Sequence, residues 1–182
     1  MFKAWPKIPR LENEVYHVTE KIDGTNAAII IQPWLSDGSQ PTPIEEMHTE
    51  EECYGIWAQS RTRLITPEED NFGFAKWVKE NSEQLITDLG EGYHYGEWYG
   101  LGINRGYNLD HKRFSLFNPT KQSSVCHNVP YIVECRHLDT IEIEIEQLKQ
   151  NGSYASPGYM RPEGLVVYAE KAKTYWKVII DK

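Results

Sequence analysis

The sequence predicts an α+β fold with antiparallel sheets. Many short segments are rich in aromatic and β-branched residues, which is the usual composition of β-strands. Two or three other segments have helical spacing, and they do not alternate regularly with the strands. Regular alternation would indicate a parallel sheet with crossover helices, so its absence favours antiparallel sheets with helices between some strands. No internal repeat or long linker divides the 182 residues, and we expect a single domain.

The first two strands lie on either side of a short turn. Residues 15–19 alternate weakly and residues 27–31 form an apolar run, which predicts strands flanking the turn at Asp23-Gly24. The stretch 33–53 contains Pro, Ser, Gly and clustered Glu and is predicted to be a long surface loop. Further strands are predicted at residues 56–60, 93–99, 114–117, 131–134, 165–169 and 175–180.

A helical turn and a longer helix are predicted between these strands. Thr66 followed by Pro67, with Glu69 three residues after Thr66, is a capping-box signal for a helical turn. Apolar residues then recur near helical spacing over residues 74–89, and Gly90 is a typical helix stop.

The run at residues 141–146 is compatible with two structures. Its alternation of Ile and Glu is typical of a strand. Apolar residues also recur there at helical spacing, with Asp139 or Thr140 as the cap and Gly152 as the stop, and we favour this helix.

The formal net charge of −8 weighs against a nucleic-acid partner. The acidic residues are clustered, however, and eight glutamates account for this charge: Glu45, Glu46, Glu50, Glu51, Glu52, Glu142, Glu144 and Glu146. The remaining surface can therefore carry a basic groove around Arg61, Arg63, Lys173 and Lys177. A uniformly acidic, solvated surface is the alternative that charge alone leaves open.

The sequence shows no membrane or secretion signal. No segment approaches the ~20 apolar residues that span a bilayer, and the N-terminal residues lack a signal pattern. The three cysteines, Cys53, Cys126 and Cys135, are too few for a disulfide framework, so we expect a soluble cytoplasmic protein, in a host cell if the source is viral. Cys126 and His127, with Cys135 and His137, fit no zinc spacing and are interpreted as a strand pair.

The segment Glu20-Lys21-Ile22-Asp23-Gly24-Thr25-Asn26 contains a candidate nucleophile. A lysine attacks phosphorus only as the free amine, so its reference pKa of about 10.4 must be lowered by nearby cations and desolvation. Gly24 permits close approach of the backbone to a ligand, and Asp23 is placed to orient a ribose or a metal-bound water. Taken alone, the segment is explained better by an ordinary Asp-Gly hairpin turn beside an exposed lysine.

Six short motifs, in order, resemble those of the covalent nucleotidyltransferase superfamily, which comprises DNA ligases, RNA ligases and mRNA capping enzymes. The motifs are Lys21-Ile22-Asp23-Gly24 (motif I), Ser60-Arg61-Thr62-Arg63 (the arginine motif), Tyr95-Gly96-Glu97-Trp98-Tyr99-Gly100 (III), Arg113-Phe114-Ser115-Leu116-Phe117 (IIIa), Glu163-Gly164-Leu165-Val166-Val167 (IV) and Tyr175-Trp176-Lys177-Val178 (V). The ending Gly24-Thr25-Asn26 is more similar to RNA ligases, because DNA ligases usually carry an arginine near the position of Asn26.

The resemblance implies a nucleotidyltransferase (ATP-grasp-like) ligase domain of antiparallel sheets flanked by helices. The implied activity is ATP-dependent ligation of RNA or another polynucleotide through a lysyl-AMP intermediate, with ATP, Mg²⁺ and RNA or DNA strand ends as ligands. The implied catalytic residues are Lys21 and Lys177. Nucleotide-binding residues would be Glu20, Ile22, Asp23, Gly24, Asn26, Arg61, Glu97, Phe114 and Lys173, and metal ligands would be Glu163 and Asp23.

Motifs IIIa and V leave choices open. Phe114 is expected to stack on adenine, although a core role is almost equally compatible with the sequence, and Phe117 is expected in the core. Motif V often contains two lysines in a Lys-x-Lys pattern, but Ile179 stands at the second position, and Lys173 is the substitute considered for the missing charge.

Ligases of this superfamily usually add a second domain after motif V. Since the sequence ends soon after Lys177, we expect no separate C-terminal domain, and either a minimal ligase or a partner protein that replaces it. The alternatives are a capping-type guanylyltransferase, another adenylyltransferase, or a domain that binds nucleotide or nucleic acid without reacting.

Overall fold

The computed structural model describes residues 14–49 and 52–180, which form eleven strands and three α-helices. The strands are β1 (Tyr16–Lys21), β2 (Thr25–Pro33), β3 (Glu45–His48), β4 (Cys53–Ser60), β5 (Leu64–Ile65), β6 (Gly92–Gly100), β7 (Lys112–Leu116), β8 (His127–Asn128), β9 (Tyr131–Cys135), β10 (Gly164–Ala169) and β11 (Thr174–Ile179). The helices are α1 (Phe74–Glu80), α2 (Ser82–Leu89) and α3 (Leu138–Asn151). The predicted α+β class with antiparallel sheets is confirmed, with one parallel pairing, that of β7 with β8.

The chain divides into two compact units, one running up to Ile22 and again from Pro130, the other formed by 23–129. The first unit has a four-stranded antiparallel sheet in the order β11-β10-β1-β9. Alternate residues of β1 and β10 are buried, and they form a core with the apolar face of α3. Lys21 lies on the other face of this sheet, because it alternates with the buried residues of β1 and is itself half-buried.

The ambiguous run in the first unit is a helix, as favoured from the sequence. Ile141, Ile145 and Leu148 are buried on one face of α3, whereas Ile143 is exposed. The N-cap is His137 in an extended conformation, not Asp139 or Thr140. The cap lies earlier because Asp139 already belongs to the first turn, where a carboxylate favours the positive end of the helix dipole.

The second unit is built on a sheet in the order β3-β4-β2-β6-β7-β8, with β5 paired to β4. One face of this sheet packs against α1 and α2, and apolar residues of β2, β4, β6 and β7 form the core there. β1 and β2 belong to different sheets, so the Asp23-Gly24 turn joins the two units and is not a hairpin.

Two helix predictions in the second unit need correction. The single helix predicted over 74–89 is two helices that meet at Asn81, whose backbone leaves the helical conformation while its side-chain amide donates to the Trp77 carbonyl at 2.8 Å. The capping-box segment forms a turn without a helix. Thr66 Oγ1 accepts the backbone N–H of Glu69 at 3.2 Å, which satisfies that donor locally.

The stretch 33–53 is not wholly a loop. β3 (Glu45–His48) interrupts it and pairs antiparallel with the start of β4, as an edge strand of the second sheet. Polar residues on β3 misled the prediction, since an edge strand tolerates charge on both faces. Glu50 and Glu51 of the acidic cluster lie outside the described residues. None of the helices in the described part of the chain has the length and apolar character of a membrane-spanning helix.

Candidate active site

Lys21 is held at the end of β1, a central strand of the first unit. It pairs with Gly164 at the start of β10, and the backbone N–H of the preceding residue, Glu20, donates to the Pro130 carbonyl at 2.9 Å. Lys21 Nζ lies 2.7 Å from Glu163 Oε2, and the two side chains are 26% and 17% exposed. Motifs I and IV thus meet in one ion pair that a solvent-borne ligand can reach.

Glu163 is fixed by the strand ladder that follows it. Its carbonyl accepts the backbone N–H of Ile180 at 2.9 Å, which extends the pairing of β10 with β11. Gly164, the next residue, has φ 153°, and a Cβ there would lie 2.0 Å from the Val178 carbonyl oxygen. Only glycine is compatible with that position, so motif IV sets the direction in which Glu163 faces Lys21.

Lys177 shares a sheet face with Lys21. Val166 faces both Thr19 of β1 and Lys177 of β11, so these residues form one row across three strands. Lys21 stands in the adjacent row, on the same face, since side chains alternate along a strand. Lys177 is exposed on that face, where a cation can contact an anionic ligand of Lys21.

In the second unit, a carboxylate of motif III accepts hydrogen bonds from the glycine end of motif I and from Asn26. Glu97, on β6, is buried, and its Oε1 accepts the backbone N–H of Gly24 at 3.0 Å. Its Oε2 accepts the side-chain amide of Asn26 at 2.9 Å. A Cβ on Gly24 would lie 2.4 Å from the Trp98 carbonyl oxygen, so glycine is required for this close approach to β6.

Asp23 is held by residues that the sequence motifs did not include. Arg105 Nε donates to Asp23 Oδ2 at 2.8 Å, and Asn104 Nδ2 donates to Asp23 Oδ1 at 3.0 Å. The Asp23 backbone N–H donates to the Tyr107 hydroxyl at 2.8 Å. These three residues belong to the loop after β6, which contains several glycines. The one sequence signal for their role at the site is that this loop directly follows motif III.

The arginine motif lines a shallow depression of about 290 Å³ beside motif I in the second unit. Thr25 and Asn71 contribute to its wall, and the exposed Arg61 lines it as well. Arg63 also lines it, but its guanidinium donates to the Leu64 and Glu69 carbonyls, both at 3.3 Å. Arg61 is therefore the arginine of this pair that is placed to meet a ligand, and Arg63 holds the loop.

A sequence model of the family described as RNA ligase matches residues 14–179. The chain belongs to the RNA ligase family. A search among curated proteins returns no match.

Solved structures of an RNA ligase from Naegleria gruberi have the same fold as this family member. A mutant with AMP and Mn matches with a TM-score of 0.58 at 16% identity, covering 93% of this chain and 50% of that chain. A mutant with ATP and Mn gives 0.57 at 16% identity, with 91% and 49% covered. The ligase with pyrophosphate gives 0.57 at 17%, with 93% and 50% covered. The chain spans about half the length of these matched structures.

The structure corrects the aromatic assignment within motif IIIa of this RNA ligase family member. Phe114 is 0% exposed and packs against Phe74, Trp77 and Trp98 in the core, so it has no face to offer to adenine. Phe117, expected in the core, is 43% exposed. The predicted roles of Phe114 and Phe117 were exchanged because the sequence did not reveal which face of β7 packs against the helices.

Lys173 does not substitute for the missing lysine of motif V. It lies in the turn between β10 and β11, with φ 50°, at the end of this hairpin opposite to Lys21. Ile179 is the β11 residue in the row of Lys21, and six residues at ~3.4 Å each put Lys173 roughly 20 Å from that row. Lys173 is therefore too far from Lys21 to bind the same phosphate.

Glu20 and Ile22, the chain neighbours of Lys21, have buried side chains. The carboxylate of Glu20 accepts the Ser153 hydroxyl at 2.5 Å and the backbone N–H of Ala155 at 2.9 Å. Burial raises the pKa of Glu20 although these hydrogen bonds work in the opposite direction. The Glu20 side chain thus anchors the loop after α3, and neither the Glu20 nor the Ile22 side chain is exposed to a ligand.

Two further interpretations are at odds with the structure. Both oxygens of Asp23 accept hydrogen bonds, one of them from a guanidinium, and an arginine partner disfavours a metal cation at the same carboxylate. His127 lies on β8 and Cys135 on β9, and these strands belong to different sheets, so the Cys and His cluster is not a strand pair.

Proposed function

We propose that this chain is the adenylating part of an ATP-dependent RNA ligase, with Lys21 as the nucleophile. The observation that carries the proposal is the 2.7 Å contact between Lys21 Nζ and Glu163 Oε2 within a chain of the RNA ligase family. The matched Naegleria gruberi RNA ligase structures hold AMP and Mn, ATP and Mn, or pyrophosphate, and this supports a nucleotide ligand. The single-domain organisation and a cytoplasmic location stay predictions.

Glu163 is the proton acceptor in the proposed first step. Its Oε2 takes the proton from the Lys21 ammonium group, which leaves a free amine facing a neutral carboxyl group. Lys21 Nζ then attacks the α-phosphorus of ATP, a nitrogen–phosphorus bond forms, and the bond to the leaving pyrophosphate breaks. In the following steps AMP passes to a 5′-phosphate end, and a 3′-hydroxyl attacks that end and releases AMP.

The remaining site residues bind and orient the nucleotide in this proposal. Lys177 neutralises charge on the α-phosphate, since it shares the face of the sheet with Lys21. Glu97 accepts hydrogen bonds from the ribose hydroxyls, because each carboxylate oxygen can accept more than one donor. Arg61 contacts the ribose or the 5′-phosphate end of the substrate strand, and Phe117 takes the stacking role expected of Phe114.

A divalent cation fits the donor set near Lys21. Glu163 offers carboxylate oxygens, which Mg²⁺ prefers, so the charged carboxylate would hold the ion once the proton taken from Lys21 has passed to solvent. Bound there, the ion would supply charge neutralisation on the phosphate oxygens. Asp23 is omitted from this site because the positive charge of the Arg105 guanidinium, 2.8 Å from Asp23 Oδ2, repels a second cation at that carboxylate.

The test of the first step is a covalent adduct. We expect the chain, incubated with ATP labelled at the α-phosphate, to retain label after denaturation and to gain the mass of one AMP. Lys21→Ala should abolish the adduct, and Lys173→Ala, at the far end of the same sheet, should keep it. Labelled GTP in a parallel reaction separates a capping-type enzyme from a ligase. An unreactive parent chain would leave only a domain that binds nucleotide or nucleic acid.

Strand joining is a separate experiment. RNA and DNA ends, single or nicked, are offered to the chain in the presence of ATP, and RNA ends are expected to be joined preferentially. Lysyl-AMP formation without joining would favour the prediction that a partner protein contributes to the later steps.

A further inference from the structure

The hairpin of β3 and β4 in the second unit brings together three side chains that the ligase motifs do not use. Glu46 and His48 are two residues apart on β3, so their side chains lie on the same face of the strand. Cys53, the first residue of β4, is directly opposite His48 in the antiparallel register. A carboxylate, an imidazole and a thiol therefore converge at one end of this hairpin.

The distances between these side chains are those of a shared ligand. His48 Nε2 lies 3.8 Å from Cys53 Sγ and 3.7 Å from Glu46 Oε2. All three ligand atoms lie within 4.8 Å of one another. In a tetrahedral zinc site with bonds of about 2.0–2.3 Å, neighbouring ligand atoms are roughly 3.3–3.6 Å apart. Small side-chain rotations are enough to bring these atoms to that spacing.

We propose that Glu46, His48 and Cys53 form a zinc-binding site. The thiol and imidazole select a borderline-soft divalent cation such as Zn²⁺ over Mg²⁺ or Ca²⁺, which take oxygen ligands. The three side chains occupy three tetrahedral positions, and water fills the fourth. The site is independent of the proposed adenylation chemistry, since none of its residues belongs to the six motifs.

The backbone holds the site in register. The Thr49 N–H donates to the Glu52 carbonyl at 2.8 Å, and the Thr49 hydroxyl donates to the same oxygen at 2.9 Å. These two hydrogen bonds join the residue after His48 to the residue before Cys53, and the two strands stay paired up to His48 and Cys53. A bound ion would add a second link between β3 and β4, at the edge of the sheet, where a short strand has one neighbour.

The experiment uses the full chain, without a polyhistidine tag, after treatment with a chelator. Zn²⁺ is titrated against a chromogenic chelator, and we expect one ion per chain. Co²⁺ in place of Zn²⁺ should give a thiolate-to-cobalt charge-transfer band in the near ultraviolet, which reports Cys53 directly. A parent chain that takes up no Zn²⁺, or whose cobalt form lacks this band, would overturn the proposal.

The variants make the assignment specific. Cys53→Ser and His48→Gln should each weaken Zn²⁺ binding by at least about tenfold. Even the loss of a residue that only hydrogen-bonds to a metal ligand lowers metal affinity about 10–100-fold. Glu46→Gln tests the third ligand at an exposed position, where loss of fold is not expected. Cys126→Ser, which changes another free cysteine of the same unit, should bind Zn²⁺ as the parent does. Equal affinity of Cys53→Ser and the parent would refute the site.

Discussion

The lysine end of motif I and its glycine end are built in opposite ways. Lys21, in the first unit, makes one side-chain contact of 2.7 Å with Glu163, and both side chains reach the surface. Gly24, in the second unit, is locked by the buried Glu97 and by a backbone approach that excludes any Cβ. One end can exchange its partner for a ligand, whereas the other holds a fixed conformation.

The difference separates reactivity from positioning. An ion pair that water can still reach contributes less to stability than a fully buried network, so a reactive lysine can stand there at small cost to the fold. A buried carboxylate that satisfies two donors costs more to remove, because each donor left without a partner destabilises by about 1–3 kcal/mol. Substitutions at the lysine end should change chemistry, and substitutions at the glycine end should change stability.

After the loss of the nucleophile itself in Lys21→Ala, the largest effect is expected from Glu163→Gln. If Glu163 accepts the proton of Lys21, its loss should slow formation of the lysyl-AMP adduct by about 10²–10⁴-fold. The free energy of unfolding should change by at most about 1 kcal/mol, because both side chains are partly exposed. The adduct is followed by mass spectrometry at a series of times, and stability by urea unfolding.

The matched control for that variant is Glu170→Gln. Glu170 lies 3.6 Å from His17 in the same unit and is exposed, so we expect an unchanged adduct rate. Full activity of Glu163→Gln at neutral pH would exclude Glu163 as the proton acceptor.

The next effect is expected from Glu97→Ala, at the glycine end. The Gly24 N–H and the Asn26 amide lose their acceptor, and the protein should be destabilised by about 2–4 kcal/mol. Glu97→Gln keeps one carbonyl oxygen as an acceptor and should lose less. Urea unfolding of both variants checks the order, and equal stability of Glu97→Ala and the parent would contradict the locked conformation.

A smaller loss, about 1–3 kcal/mol, is expected from Gly24→Ala. The added Cβ would meet the Trp98 carbonyl oxygen at 2.4 Å and Tyr99 Cβ at 2.7 Å, so the turn must shift away from β6. Thermal unfolding of Gly24→Ala and the parent measures this loss, and a Gly24→Ala midpoint at or above that of the parent would disprove the clash.

The local sequence pattern was enough to predict most strands, including the two strands on either side of motif I. Runs of aromatic and β-branched residues indicate strands wherever those strands pair. The pattern could not assign faces. Phe114 lies in the middle of β7 and Phe117 directly after it, and packing against α1 makes Phe114 a core residue. It also could not place Lys173, because distance along a hairpin depends on where the turn falls.

Contacts between distant segments were equally invisible. Arg105 pairs with Asp23 across 82 residues of chain, and no spacing rule connects a loop after motif III with the turn of motif I. β3 was missed for a related reason, since its pairing with β4 stabilises a polar edge strand that local composition disfavours.

The smallest effects should come from two glutamates at the two ends of β1, with opposite dependence on pH. Burial raises the pKa of Glu20. For Glu14, burial also works to raise the pKa, but hydrogen bonds from the backbone N–H groups of Lys171, Val15 and Ala172 outweigh it and lower the pKa. The fold therefore favours the neutral form of Glu20 and the charged form of Glu14.

The signs follow from linkage between protonation and folding. The Glu20 contribution is complete below the unfolded pKa of about 4.3 and is lost as the pH rises through the raised folded value. The Glu14 contribution is complete above about pH 4.3 and is lost as the pH falls through the lowered folded value.

Glu20→Gln, which is always neutral, should therefore gain stability relative to the parent as the pH rises. Glu14→Gln should be less stable than the parent at neutral pH, and the difference should shrink in acid. Urea unfolding of both variants and the parent, from acidic to neutral pH, measures how each stability difference changes with pH. Changes of the same sign for Glu20→Gln and Glu14→Gln, each relative to the parent with the pH rising, would contradict at least one of the two directions; the expected result is a gain for Glu20→Gln and a loss for Glu14→Gln.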